Sequence, residues 1–190
     1  MALYVGGTSV TGTQVLDATK LSGNLPAISG ASLTGLSSGL SVADQWFLTT
    51  NTAVTGDITS NLARSNSSPF GAVGSAMTVS SGIFTFPSTG YYRITATWQG
   101  DASDNNDSYQ GTIKSTTDNS SYSTRAIAYI GGQGTDLIAM TVSAILDITN
   151  TSNDKVKFDV QNVNSGQNVN LLGNSSQAQT CFNFLRLGDT

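Results

Sequence analysis

The 190-residue chain has no histidine, a single cysteine, three prolines and only eight basic residues. Without histidine there can be no Ser-His-Asp or Cys-His catalytic site, and the commonest metal ligand is missing. Cys181 stands alone, so no disulfide can form within the chain, and its default role is that of a small buried hydrophobe. Eight Lys and Arg against twelve acidic residues leave a net charge of -4, short of the basic footprint that phosphate backbones require, so no nucleic-acid partner is expected. No stretch approaches the roughly 18 apolar residues of a membrane span, and no membrane partner is expected. The N-terminal MALYVGGTSV lacks the basic flank and apolar run of a signal peptide, so the chain is expected to stay in the cytosol where it is made or to leave at lysis.

Ser, Thr, Asn and Gly supply the solubility that Lys and Glu supply elsewhere, and they favour turns and strands over helix interiors, which points to an all-β fold. The length suits one domain of roughly 100 to 150 residues plus an appendage. The composition shift places the boundary so that residues 1–41 form the appendage and residues 42–190 the domain. Within the appendage, Gly6-Gly7 flanked by Tyr4-Val5 and Thr8 reads as a short hairpin or a bent strand. From Leu16 a Gly-punctuated pattern follows, with Leu21-Ser22-Gly23, Ile28-Ser29-Gly30 and Leu33-Thr34-Gly35 repeating an aliphatic, a hydroxyl residue and a glycine. Pro26 disfavours helix at Leu25, while a turn of helix over residues 16–21 stays open. Leu16, Leu21, Leu25, Ile28, Leu33 and Leu36 find no second layer within so small-residued a segment, so their burial must come from outside it. Copies of the same segment or the surface of a large assembly would serve, and either makes the segment an anchor.

Beyond residue 42 the pattern is of strands divided by turn clusters. Residues 45–50 open it, residues 83–86 and 91–98 form a strand, turn, strand unit about Pro87-Ser88-Thr89-Gly90, and residues 109–114 and 122–130 follow, the last closed by a tight turn at Gly131-Gly132-Gln133-Gly134. Residues 137–148 are a long run, residues 156–160 alternate cleanly, and residues 180–187 are aromatic-rich. Regularly spaced turn signals between so many strands indicate a sandwich or barrel.

In this order the blocks IFTFPSTGYYRITATW, VSAILDITNTSNDKVKFDV and CFNFLRLGD resemble the globular domain of the C1q and tumour-necrosis-factor superfamily. Phe86, Gly90, Tyr91 and Tyr92 look like that family's "G-x-Y-x-F" block, and Asn153-Asp154-Lys155-Val156 resembles its "G-D-x-V" turn with Asn in place of Gly. The resemblance covers residues 45–190 and implies a jelly-roll β-sandwich that assembles as a homotrimer. The segment LDATKLSGNLPAISGASLTGL is similar to linker repeats in tail-fibre and head-fibre proteins of bacteriophages, particularly those of marine and cyanobacterial hosts. It implies a virion protein assembled in the bacterial cytoplasm.

Chemistry-bearing residues are sparse. Asp101, Asp104 and Asp107 form the densest acidic cluster, in what reads as a loop. Alternating Asp and Asn oxygens suit a calcium ion, the one cofactor these residues suggest, although the spacing lacks the EF-hand's Gly and Glu and a solvated loop is the alternative. A glycosidase needs two carboxylates roughly 5 to 9.5 Å apart, one of them desolvated, and an exposed loop suits neither role, so no enzyme is expected. Gly131-Gly132-Gln133-Gly134 has no following Lys-Ser or Lys-Thr and is not a phosphate cradle. Trp46 and Trp98 could stack on sugars but sit in strand-like runs, so they are assigned with Phe84, Tyr92, Phe158, Phe182 and Phe184 to packing in the core or along the trimer axis.

The expected protein is a short trimeric head fibre or capsid decoration protein, docked on a major capsid or other virion protein through its N-terminal segment. The alternative is a tail-fibre or tail-spike adhesin that recognises a host surface glycan or protein. Forty extended residues span at most roughly 130 to 145 Å, too little for a long distal shaft, which favours the first.

Overall fold

The computed structural model describes residues 3–5, 8–10, 39–64, 68–101, 107–132 and 136–190. By contacts the chain divides into two compact units, Met1–Ser37 and Ser38–Thr190. In the first, strands β1 (Leu3–Val5) and β2 (Thr8–Val10) pair antiparallel, with Leu3 opposite Val10 and Val5 opposite Thr8. The anchor residues Leu16, Leu21, Leu25, Pro26, Ile28, Leu33 and Leu36 lie outside the described residues, as does the helical turn considered at residues 16–21.

The second unit is all β, with no helix among its described residues. Its strands are, in order, β3 (Val42–Leu48), β4 (Thr50–Val54), β5 (Gly56–Asp57), β6 (Leu62–Ala63), β7 (Val73–Gly74), β8 (Thr78–Ser80) and β9 (Ile83–Thr85). There follow β10 (Gly90–Asp101), β11 (Asp107–Thr116), β12 (Ser123–Gly132), β13 (Leu137–Ile148), β14 (Lys155–Asn162), β15 (Val169–Asn174) and β16 (Cys181–Gly188). They form two antiparallel sheets. In the first, β10 is flanked by β13 on one side and by β16 on the other, β3 lies beyond β16 and pairs with β6 and β7, and β15 joins the end of β10 to β4. The second runs β12-β11-β14-β9-β8, with β5 beside β14. Sheet neighbours such as β3 and β16, or β11 and β14, are distant in sequence because successive strands repeatedly cross from one sheet to the other, which is jelly-roll topology.

Strict alternation drives this arrangement. In β10, Tyr92, Ile94, Ala96 and Trp98 turn inward while Tyr91, Arg93, Thr95 and Thr97 turn outward. The inner faces meet in an aromatic core where Phe158 of the second sheet stacks on Phe182 of the first at 3.8 Å between centroids, with Phe84 and Phe184 against them. Gly111 lets the sheets close: a Cβ there would stand 2.7 Å from the Trp98 ring.

Two readings of the sequence change and one gains detail. The strand, turn, strand unit at residues 83–98 is present, but its strands do not pair with each other: β9 belongs to the second sheet and β10 to the first, so the turn at residues 87–89 carries the chain across the sandwich. Gly90, at a φ of 135° and packed against the Gly188 carbonyl, is where that crossing needs glycine. Gly131 and Gly132 end β12 rather than forming a tight turn, while Gln133 and Gly134 lie outside the described residues. Asp101 is the last residue of β10 rather than part of a loop.

Candidate functional site

The outer strands β12 and β13 are the places where the alternation fails to leave a polar exterior. Among the described residues β12 pairs only with β11, and β13 only with β10, so each presents a free row of backbone donors and acceptors. In β13, Ile138, Met140 and Ile148 are buried inward, yet Leu137 and Ile145 point outward. In β12, Ala126, Ala128 and Ile130 pack against the core while Ile127 and Tyr129 face out. Leu137, Ile145 and Tyr129, at 76, 64 and 61 % exposure, are the three most exposed large hydrophobic residues described. A long edge that is apolar on both sides of the strand is the kind that pairs or packs with another chain.

Beside that edge lies the outward face of the first sheet. Cross-strand bonds satisfy its polar side chains laterally: Thr95 with Ser143 at 2.8 Å, Thr97 with Thr141 at 2.9 Å, and Gln45 Nε2 donating to Asn183 Oδ1 at 2.5 Å. Because their hydrogen bonds are already made within the sheet, these groups lose little when water leaves. A shallow groove of about 480 Å³ crosses this face, lined by Gln45, Arg93, Thr95, Asn183 and Leu185 among others.

The second sheet's outward face is finished differently. Lys157 Nζ lies 2.6 Å from Asp57, Lys114 Nζ lies 3.5 Å from Asp57 and 2.8 Å from Asp159, and Gln161 Nε2 donates to Asp159 at 3.2 Å. Lys157 also sits over the Tyr122 ring at 4.2 Å. Desolvation works against the Lys114 charge, but the Asp159 and Asp57 carboxylates outweigh it and hold the pKa above the ordinary lysine value.

Most of the acidic cluster lies outside the residues whose side chains are described. Asp101 accepts a 2.9 Å hydrogen bond from Asn170, Asp104 lies outside the described residues, and Asp107 is described by its backbone alone. All seven aromatic residues assigned to packing, Trp46, Phe84, Tyr92, Trp98, Phe158, Phe182 and Phe184, face the space between the sheets, which leaves neither tryptophan available to a sugar. Burial pushes the Cys181 thiol up, which keeps it protonated and unreactive.

Sequence reasoning missed the buried carboxylate of Asp44, which takes Arg64 in a fork at 2.7 Å on each oxygen, with the Trp46 indole and the Met77 amide as further donors. The guanidinium lies over the Trp46 ring at 4.3 Å, so this clip ties the loop before β7 to β3. It also missed the edge itself. The available signal was LIAMTVSAILDI, whose apolar residues occupy both parities of the strand and so imply burial of both faces.

No family model matches the sequence, and no curated protein matches it. Solved structures do. The chain is similar to Eiger TNF from S. frugiperda at 14% identity and a TM-score of 0.62, over 80% of this chain and 96% of that one. It is also similar to murine APRIL, at 11% identity and a TM-score of 0.57, over 78% of this chain and 99% of that one. At such identity the likeness establishes the fold: the second unit is a TNF-like jelly roll.

Proposed function

We propose that this chain is a non-enzymatic structural protein whose jelly-roll unit forms a closed ring of three copies and whose N-terminal segment fastens the ring to a virion, as a short head fibre or decoration protein. The observation that carries the reading is the exposure of Leu137, Ile145 and Tyr129 on adjacent outermost strands beside a laterally satisfied face. The edge and the face are different patches, so contact between them is heterologous, and a heterologous contact forms a ring when its rotation divides a full turn. Three is the number implied by the resemblance to C1q and tumour-necrosis-factor domains. The Gly-punctuated repeat of residues 16–40 supports the anchoring role and its likeness to phage linkers supports the virion setting.

Light scattering on the full chain tests the ring: a mass of three chains is expected, and a single chain of 19.7 kDa would overturn it. Deleting residues 1–40 tests the anchor. The truncated protein is expected to be absent from purified particles, and its incorporation at the parent level would refute the attachment role. Binding of the isolated second unit to host cells would instead favour the adhesin reading.

A further inference from the structure

Arg93 is the one Lys or Arg side chain among the described residues that makes neither a hydrogen bond nor an ion pair. Arg64, Arg125 and Arg186 bind Asp44, Ser115 and Asp189, and the lysines of β11 and β14 are all engaged. Among the aspartates whose side chains are described, Asp147 is likewise the one without a partner: Asp44, Asp57, Asp159 and Asp189 are in ion pairs, Asp101, Asp118 and Asp154 accept hydrogen bonds, and Asp136 is engaged as well. The unpaired cation and the unpaired anion share one sheet face. Arg93 stands on the middle strand in the groove beside Gln45 and Asn183, and Asp147 on the edge strand in a second cleft of about 210 Å³ with Arg125. They do not satisfy each other: Arg93 is opposite Ile145, so Asp147 is its diagonal neighbour, and no ion pair joins them.

We infer that Arg93 of one copy receives Asp147 of the next, making this ion pair the register-setting contact of the ring. The inference rests on the edge-to-face reading above. Rotation about a ring axis preserves height along it, and two residues of strand separate Asp147 from Ile145, so their levels differ by at most roughly 7 Å whatever the tilt of the strands, a span that an extended arginine covers. The pair would bring together the edge that needs covering and the face able to cover it. It also explains why these two charges are left open where the other charged side chains described all have partners. Once water is excluded, either charge without the other becomes a liability, so the pair would reject slipped registers.

The experiment uses the full chain and three variants, R93D, D147R and the double swap R93D/D147R, sedimented across a wide concentration range with thermal unfolding alongside. Each single reversal is expected to raise the concentration of half-dissociation on the order of 100-fold while leaving monomer unfolding unchanged, and the double swap is expected to recover most of the loss. The neutral variants R93Q and D147N should weaken association in the same direction with less risk to solubility. If the parent forms rings and the single variants match it, or the double swap is no better than the worse single variant, the pair is refuted while the ring stands. If the single variants lower the unfolding midpoint and leave association unchanged, the pair lies within one chain and the inference is wrong. A parent that sediments as one chain at every concentration overturns the ring itself and the pair with it.

Discussion

The two outward faces of one sandwich have opposite finishes. On the second sheet, Lys157, Asp57, Lys114 and Asp159 form a continuous ionic network that neutralises itself within the chain. On the first, threonine, serine and amide pairs cover the surface, and Arg93 and Asp147 are left without partners. The same backbone geometry underlies both, so the difference is one of side-chain choice. The proposed ring accounts for the difference: a surface that meets water can settle its charges locally, whereas one that would meet another copy keeps its charges open and its hydroxyls closed.

The largest test of this contrast places charge on the apolar edge. Ile145→Asp combined with Leu137→Asp should weaken association on the order of 1,000-fold, read by sedimentation, because carboxylates would be buried without partners. Both side chains are exposed in the single chain, so its thermal midpoint should barely move. Stability lost together with association would show instead that the edge is part of the monomer core. The converse change is Lys114→Ala, which strands the buried Asp159 carboxylate with only Gln161 and a long contact to Thr112. Chemical denaturation should show a loss of about 2 to 3 kcal/mol, with association at saturating concentration unaltered.

A smaller effect follows from titration of the same lysine. Its folded pKa is raised, so the stability it contributes is complete below the ordinary lysine value and disappears as pH climbs through the folded one. Denaturation between pH 9 and 12, ~3 pH units, should therefore show a decline that the K114M variant lacks. The smallest change is Thr97→Val, which removes one exposed cross-strand hydroxyl pair and should cost roughly 0.5 kcal/mol or less in the monomer. A loss of several kcal/mol there would mean that the first face is organised by more than lateral pairs.

How much of this was legible in the sequence depended on local pattern. β10, β14 and β16 were readable because bulky residues alternate with polar ones through each, and the TNF-like order of blocks survived at very low identity for the same reason. β15 and the short strands β4 to β8 were not, because Asn, Gly and Thr in them give no alternation, and their pairing is set by neighbours far along the chain. That β9 and β10 lie in different sheets was not legible, because Pro87, Ser88, Thr89 and Gly90 give the same turn signal whether the chain returns to its own sheet or leaves for the other. At the site, the apolar edge could be seen in residues 137–148. The open charges could not, since Arg93 is distinguished only by every other cation among the described residues having found a partner.

Pairing of β3 with β16 puts the entry and exit of the second unit at one pole, where Arg186 Nη1 donates to the Ser41 hydroxyl at 3.0 Å. A peptide fused after residue 190 would therefore emerge beside the point where the chain enters the second unit. Display at the opposite pole calls for another route, such as grafting into the connections between β14 and β15 or between β15 and β16. Alternatively, a permuted chain with residues 41 and 188 joined and new ends at the far pole would keep the same sandwich while moving both termini to the opposite pole.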